Sequence, residues 1–371
     1  MKKLLLSLAI VFGAINSGFA TDLYVNSSGQ SGTYTTIQAA INGASTGDNI
    51  YVSPLNSYQE SLSITKSVRI ASSVAGSRII VTQSISISPV ANIVVELIGI
   101  EGTSVILGTQ TSTLGPNSRG KAIITDCSFH DISLDTDYLT LLVVKCSLSG
   151  TLTGRHGKVI GNMIAEKIII NDEPNIGIGD TVLVKANNVA GNIEINTDDH
   201  SVIVQNNKTA RILISNWRSG VTINGLIANN SVINSESYRY SSYSPVTYNL
   251  TIAERWGDID IRIAASNQDV SNMKIINNYI DALNATDYIG YQSSSKYNKH
   301  CAVGVSGNIP ITYPIVQYNI FDRALASLTP FHSPYWPPGV FGIYNIQTNI
   351  GVSDDAQIMS EGKDIGSPSP K

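Results

Sequence analysis

The chain has 371 residues, of which only 14% are charged, and a formal net charge of −4. This weakly acidic balance argues against nucleic acid or an anionic membrane surface as a partner. The three cysteines cannot supply the disulfide framework of a small secreted domain, and their spacing does not match a zinc site. An apolar core must therefore hold the fold together.

Residues 1–20 are typical of a secretory signal peptide. Lys2 and Lys3 precede a short apolar stretch. The segment ends at Ala20, with small residues at the positions that a signal peptidase recognises. The stretch is short for a membrane span, so none is expected after the signal is removed. The remaining chain has 22 basic and 28 acidic side chains. We expect a bacterial protein that is secreted, periplasmic or attached to the cell surface.

Short apolar runs recur along the rest of the chain, separated by turn residues. Examples are Ile79–Val81, Leu141–Val144, Ile168–Ile170 and Val202–Val204. These runs are rich in β-branched residues, which favour strands. Their regular alternation with turns predicts an all-β architecture.

A finer repeat follows many of these runs, in which Asn or Cys is followed by any residue and then usually by an apolar one. The first steps between these positions are 19, 16, 25, 19 and 24 residues, the length of one solenoid turn. Later steps of 48 and 41 residues fit either two turns or one turn with a long loop. The repeated positions are Cys127, Cys146, Asn162, Asn187, Asn206, Asn230, Asn278 and Asn319.

Stacking of parallel turns explains this repeat. Turns about 4.8 Å apart bring identical residues into a column, where inward amides can bond the amides above and below. Cysteine is small enough for the same position, so we expect Cys127 and Cys146 to stack as free thiols; a disulfide between them is the alternative. The sequence predicts a right-handed parallel β-helix over residues 21–371, a single domain with longer loops in 235–272 and 285–345.

Thr35 to Asn42 forms an amphipathic pattern, which predicts a short helix that covers the open end of the solenoid. Residues 34–70, with the helix, the Gly47-Asp48 turn and the strands that follow, resemble the opening turn of the pectin-lyase-like superfamily. The resemblance implies a parallel β-helix. Residues 362–368 resemble the closing segment of secreted bacterial β-helix proteins.

The superfamily includes esterases, lyases and hydrolases of acidic polysaccharides, but no complete catalytic pattern of these families is present. Asn196-Thr197-Asp198, followed by Asp199 and His200, resembles part of the polygalacturonase pattern, whereas Arg155 and His156 lie upstream in the wrong order. A lyase would use Arg or Lys as its base, often with calcium as cofactor, and calcium is expected only under this alternative. The weak catalytic candidates are Arg155, His156, Asp198, Asp199 and His200.

Aromatic residues are concentrated in the last third of the chain. Twelve of the seventeen tyrosines lie between residues 238 and 344. Tyrosine and tryptophan suit stacking on sugar rings, although they equally suit the packing of long loops. The candidate glycan-binding residues are Tyr238, Tyr240, Tyr243, Trp256 and Trp336.

The sequence thus favours a secreted or cell-surface β-helix that binds polysaccharide or surface glycan, or contributes to a surface assembly, without a recognisable catalytic site. The alternative is a polysaccharide lyase or glycoside hydrolase that acts on an acidic polysaccharide. Fold alone does not decide between them.

Overall fold

A computed structural model describes most of the solenoid. The described residues are 20–109, 118–172, 181–197, 201–216, 222–233, 257–263, 269–281, 301–307 and 315–322.

Three parallel sheets run the length of the described chain, and ten successive turns contribute one strand to each sheet. Sheet A consists of β1 (Asp22–Val25), β2 (Asp48–Val52), β5 (Val68–Ser72), β8 (Val94–Ile98), β11 (Gly120–Thr125), β14 (Leu139–Val144), β17 (Gly157–Ile160), β20 (Val182–Lys185), β23 (Val202–Gln205), β26 (Gly225–Ala228), β29 (Met273–Ile276) and β32 (Ile315–Gln317).

Sheet B consists of β3 (Ser57–Tyr58), β6 (Ile79–Val81), β9 (Ile100–Gly102), β12 (Ser128–Phe129), β15 (Ser147–Leu148), β18 (Met163–Ile164), β21 (Asn188–Val189), β24 (Lys208–Thr209), β27 (Ser231–Ile233), β30 (Tyr279–Asp281) and β33 (Ile320–Asp322). Sheet C consists of β4 (Leu62–Ile64), β7 (Ile85–Ile87), β10 (Ser104–Leu107), β13 (Asp131–Leu134), β16 (Leu152–Gly154), β19 (Ile168–Asp172), β22 (Asn192–Thr197), β25 (Arg211–Asn216), β28 (Gly257–Ile263) and β31 (Cys301–Gly307). The predicted parallel β-helix is confirmed.

The predicted N-terminal helix is also confirmed, as α1 (Ile37–Gly43). The Thr36 side chain accepts a hydrogen bond from the Ala39 N–H, and the Glu60 carboxylate accepts from the N–H groups of Ile37 and Gln38. These bonds satisfy donors that a helix start leaves unpaired. Ile37 and Ile41 are buried against the first turns, so the helix covers apolar side chains at that end of the solenoid.

The interior combines stacked aliphatic side chains with one buried column of amides, which we call the asparagine ladder. The Nδ2 of Asn162 donates to the Oδ1 of Asn187 at 2.9 Å, and Asn187 donates to Asn207 at 2.9 Å. The same bond continues through Asn207, Asn230, Asn278 and Asn319 at 2.9–3.0 Å. Each Oδ1 also accepts the backbone N–H of the preceding rung.

The residue before each rung has a left-handed backbone. Its φ is 57° at Ala186, 56° at Asn206 and 69° at Gly161. This conformation turns the chain sharply from sheet A into sheet B, which places the next side chain inside. Because the position is strained for most residues, its occupation by Ala186 shows that the ladder imposes the geometry.

One predicted rung was wrong by a residue: Asn207, not Asn206, belongs to the ladder. Asn206 is exposed and takes the left-handed position, whereas Asn207 is 2% exposed and bonded to both neighbouring rungs. The corrected register also explains Lys208, which points outward, while Thr209 takes the inward position that other turns fill with an apolar residue.

The steps of 48 and 41 residues between asparagines each correspond to a single turn of the solenoid. Asn230 bonds directly to Asn278 and Asn278 to Asn319, so each step spans one turn. Strands β28 and β31 lie within the ranges 235–272 and 285–345, where we expected loops. The longest insertions, 234–256 and 282–300, lie outside the described residues.

Cys127 and Cys146 extend the ladder with sulfur. The Ile100 N–H donates to Cys127 Sγ at 3.4 Å, and Cys127 Sγ in turn donates to the carbonyl of Leu97 at 3.5 Å. The thiol thus accepts one hydrogen bond and donates another, as the amide of each asparagine does. Both thiols are buried and free, as predicted. Burial raises the pKa of the Cys127 thiol, which keeps it protonated and unreactive.

We expect Asn207→Ala to lower the free energy of unfolding by about 3 kcal/mol, because it leaves two buried donors of Asn187 without an acceptor. The matched control is Asn206→Gly, since glycine suits the left-handed backbone and should change stability by less than about 0.5 kcal/mol. Urea unfolding followed by circular dichroism measures both. Equal losses would contradict the ladder register.

In a Cys301→Ser background we expect two thiols per denatured chain, with or without reductant, and no reaction of either thiol in the folded protein. A thiol reagent such as dithionitrobenzoate counts them. A count that rises only after reduction would show that Cys127 and Cys146 are bonded.

Candidate functional site

The outer face of sheet C carries a column of hydrogen-bonded polar side chains. It starts at Arg155, directly after β16, and continues through Asn171 of β19 and Asn196 of β22. Asn171 and Asn196 are register partners, and Arg155 follows Gly154, whose partner is Ile170. We call Arg155, Asn171, Asn196 and the two aspartates that hold Arg155 the polar column.

Arg155 is clamped between two carboxylates on the preceding turn. Its Nε donates to Asp135 Oδ1 and its Nη1 to Asp137 Oδ1, both at 2.6 Å. The Arg155 side chain is 18% exposed. Burial alone would lower its pKa, but the hydrogen bonds to Asp137 and Asp135 outweigh burial and raise the pKa above the ordinary value. Arg155 is therefore held as a cation, the form that cannot act as a base.

The column continues to the next two turns through amides. Asn171 Nδ2 donates to Asp135 Oδ2 at 2.9 Å, and Asn196 Nδ2 donates to Asn171 Oδ1 at 2.8 Å. Register places Ser215 of β25 next along the same line. The result is a half-buried row of carboxylate, guanidinium and amide groups that follows the solenoid axis.

His156 does not share this site with Arg155. It is 1% exposed and points inside, where Arg119 Nη2 lies 3.0 Å from its Nε2. Because Arg119 only donates, Nε2 accepts. Gly157 follows with a backbone so close to Leu141 that an added Cβ would lie 2.1 Å from the Leu141 carbonyl oxygen. This crowded corner packs two turns together and offers His156 no route to solvent.

The remaining candidates lie outside the described residues. They are Asp198, Asp199, His200, Tyr238, Tyr240, Tyr243, Trp256 and Trp336.

Sequence reasoning missed Asp135, Asp137 and Asn171, and considered Asn196 only as part of a catalytic fragment. A signal for Asn171 and Asn196 was present. Arg155, Asn171 and Asn196 each follow a ladder position, Cys146, Asn162 or Asn187, by nine residues. Equal offsets from stacked rungs place residues in one column, because turns repeat the same geometry.

Three carboxylate oxygens of the polar column accept hydrogen bonds from other members of the column. Asp135 and Asp137 each accept a hydrogen bond from Arg155 through Oδ1, and Asp135 also accepts one from Asn171 through Oδ2. Within the described parts of the chain, no group of three or more His, Cys, Asp or Glu side chains is arranged to hold a metal ion. The arrangement can present amide and charged hydrogen-bonding groups along a rigid line.

Comparison with known proteins assigns this chain to no family. No protein-family model matches, and no curated protein matches. Among solved structures, a pectin methylesterase from Aspergillus niger matches with 12% identity, over 95% of this chain and 99% of that chain, at a TM-score of 0.26. A similarity this weak transfers no residue role. No helix in the described ranges is long and apolar enough to cross a membrane.

We expect Arg155→Met to lower the free energy of unfolding by about 2 kcal/mol, because it leaves two aspartates side by side without their cation. Arg69→Met is the control. Arg69 pairs with Glu96 at 3.2 Å, but both side chains are 34% exposed, so its loss should cost less than about 1 kcal/mol. Double-mutant cycles with Asp137→Asn and Glu96→Gln measure the two couplings. A smaller coupling at Arg155 than at Arg69 would contradict the clamp.

Proposed function

We propose that this protein is a secreted or cell-surface β-helix that binds a polysaccharide along the outer face of sheet C, without catalysing its cleavage. The observation that carries the proposal is the polar column, since planar amides and carboxylates in a fixed row suit the hydroxyl groups of an extended sugar chain. A rigid floor also lowers the ordering cost of binding.

The shape of sheet C supports the same conclusion. Its strands lengthen from three residues in β4 and β7 to seven in β28 and β31. The floor therefore widens toward the C-terminal turns. An extended ligand that follows the column meets the broadest part of the sheet there.

Topology supports a role for the aromatic candidates at this wide end. Tyr240 and Trp256 lie in sequence between β27 of sheet B and β28 of sheet C, and residues 282–300 lie in sequence between β30 and β31, one turn later. If these residues line the surface, their aromatic rings would cover the apolar faces of sugar rings.

Export completes the proposal: the segment 1–20 would be removed after Ala20, and the mature chain would meet its glycan outside the cytoplasm. The clamped state of Arg155 favours binding over the alternative of a lyase that uses it as a base, because a cation with a raised pKa does not accept a proton.

A glycan array probed with residues 21–371 tests the proposal. We expect retention on at least one polysaccharide, and we expect Asn196→Ala or Trp256→Ala to weaken it about tenfold, or about 1.4 kcal/mol. Asn188→Ala is the control, because Asn188 is an exposed asparagine on the outer face of sheet B.

Two results would contradict this function. One is the absence of binding to every glycan on the array. The other is an equal loss for Asn188→Ala and Asn196→Ala, which would show that the outer face of sheet C has no special part in binding. Release of unsaturated or reducing-end products would instead support the enzymatic alternative.

A further inference from the structure

The charge on the outer face of sheet C selects among polysaccharides. Consider the strands β13, β16, β19 and β22 with the turns at their two ends. Their described side chains include five carboxylates and two cations, which leaves a formal charge of −3. The carboxylates belong to Asp131, Asp135, Asp137, Glu166 and Glu194, and the cations are Arg155 and Lys167.

These carboxylates lie in the middle of the proposed binding surface and at both of its edges. Glu194 stands in the middle of β22, on the same outer face as its register partners Ile169 and Leu213. Glu166 lies at the corner toward sheet B, where its Oε2 accepts from Thr151 Oγ1 at 2.8 Å. Asp135 and Asp137 lie at the opposite edge, toward sheet A.

The two cations offset only part of this negative charge. Arg155 already directs two of its nitrogens to Asp135 and Asp137. Lys167 is a single cation, next to Glu166 in sequence and two turns from Asp131. At physiological salt, charges act over roughly 8–10 Å, about two turns of the solenoid, so a sugar residue on this face feels several carboxylates together.

We infer that the ligand of this surface is an uncharged polysaccharide, and that Glu166 and Glu194 exclude chains of uronic acid. This inference rests on the proposed function and names its substrate class. Sugar hydroxyls can donate to carboxylate oxygens, whereas a uronate would bring like charges together. The exclusion is an example of specificity through repulsion of the wrong ligand.

Matched pairs of polymers test the inference. Each pair has one backbone in a neutral and an acidic form: cellulose oligosaccharides with and without oxidation at C6, and polygalacturonate after and before reduction of its carboxyl groups. Biolayer interferometry with immobilised chains gives both affinities. For each backbone that is bound, we expect the neutral form to bind at least about tenfold more tightly.

Charge variants identify the residues responsible. The double variant Glu166→Gln and Glu194→Gln should raise the affinity for the acidic form by about tenfold. Near 1 M salt the screening length falls to about 3 Å, which should reduce the difference between the two affinities of the unmodified protein. Glu101→Gln is the control, since Glu101 is exposed on the outer face of sheet B. It should leave the ratio of the two affinities unchanged.

The outcomes separate the two proposals. If the acidic form binds as tightly as the neutral form or more tightly, the inference is overturned while the proposed function stands. An equal effect of Glu101→Gln also overturns it, because the discrimination would then come from net charge. If no polymer is bound in either form, the proposed function fails and the inference fails with it.

Discussion

The asparagine ladder is the constraint from which the rest of the structure follows. Each rung places an amide inside a mainly aliphatic interior, where an unpaired polar group is costly. The cost is avoided only if the next turn presents its own amide at the same level, as Asn162 does with Asn187 and Asn187 with Asn207. The ladder therefore fixes the register of every turn from Cys146 to Asn319, whatever the length of the loop between them.

A fixed interior leaves the outer faces free to differ, and they do. Sheet A presents aliphatic pairs such as Ile123 with Leu142 and Val144 with Ile160 over its middle turns, whereas the same turns of sheet C carry the polar column. The solenoid holds each set of outward side chains at a regular spacing. The adjacent inward-facing residues of each strand contact the turns above and below and so fix its position. The proposed glycan-binding function depends on the outer face of sheet C.

Sequence predicted the fold well because the signals that define it are local and repeated. The short helix, the β-rich runs and most ladder positions could each be read without knowing the loops. The error at Asn206 arose where two asparagines are consecutive: both fit a turn, and only the inward direction of Asn207 separates them. The polar column was missed for a different reason. Its partners, Asp135 and Arg155, are close only because two turns stack, so their relation appears after the register is known.

The account rests on the claim that the outer face of sheet C, beside the polar column, is where a glycan binds. A crystal structure of residues 21–371 with a bound neutral oligosaccharide tests this most directly. The account predicts sugar hydroxyls within hydrogen-bonding distance of Asn171 or Asn196, with the chain running along the solenoid axis toward β28 and β31. An oligosaccharide seated on the outer face of sheet A or sheet B, with sheet C bare, would contradict it.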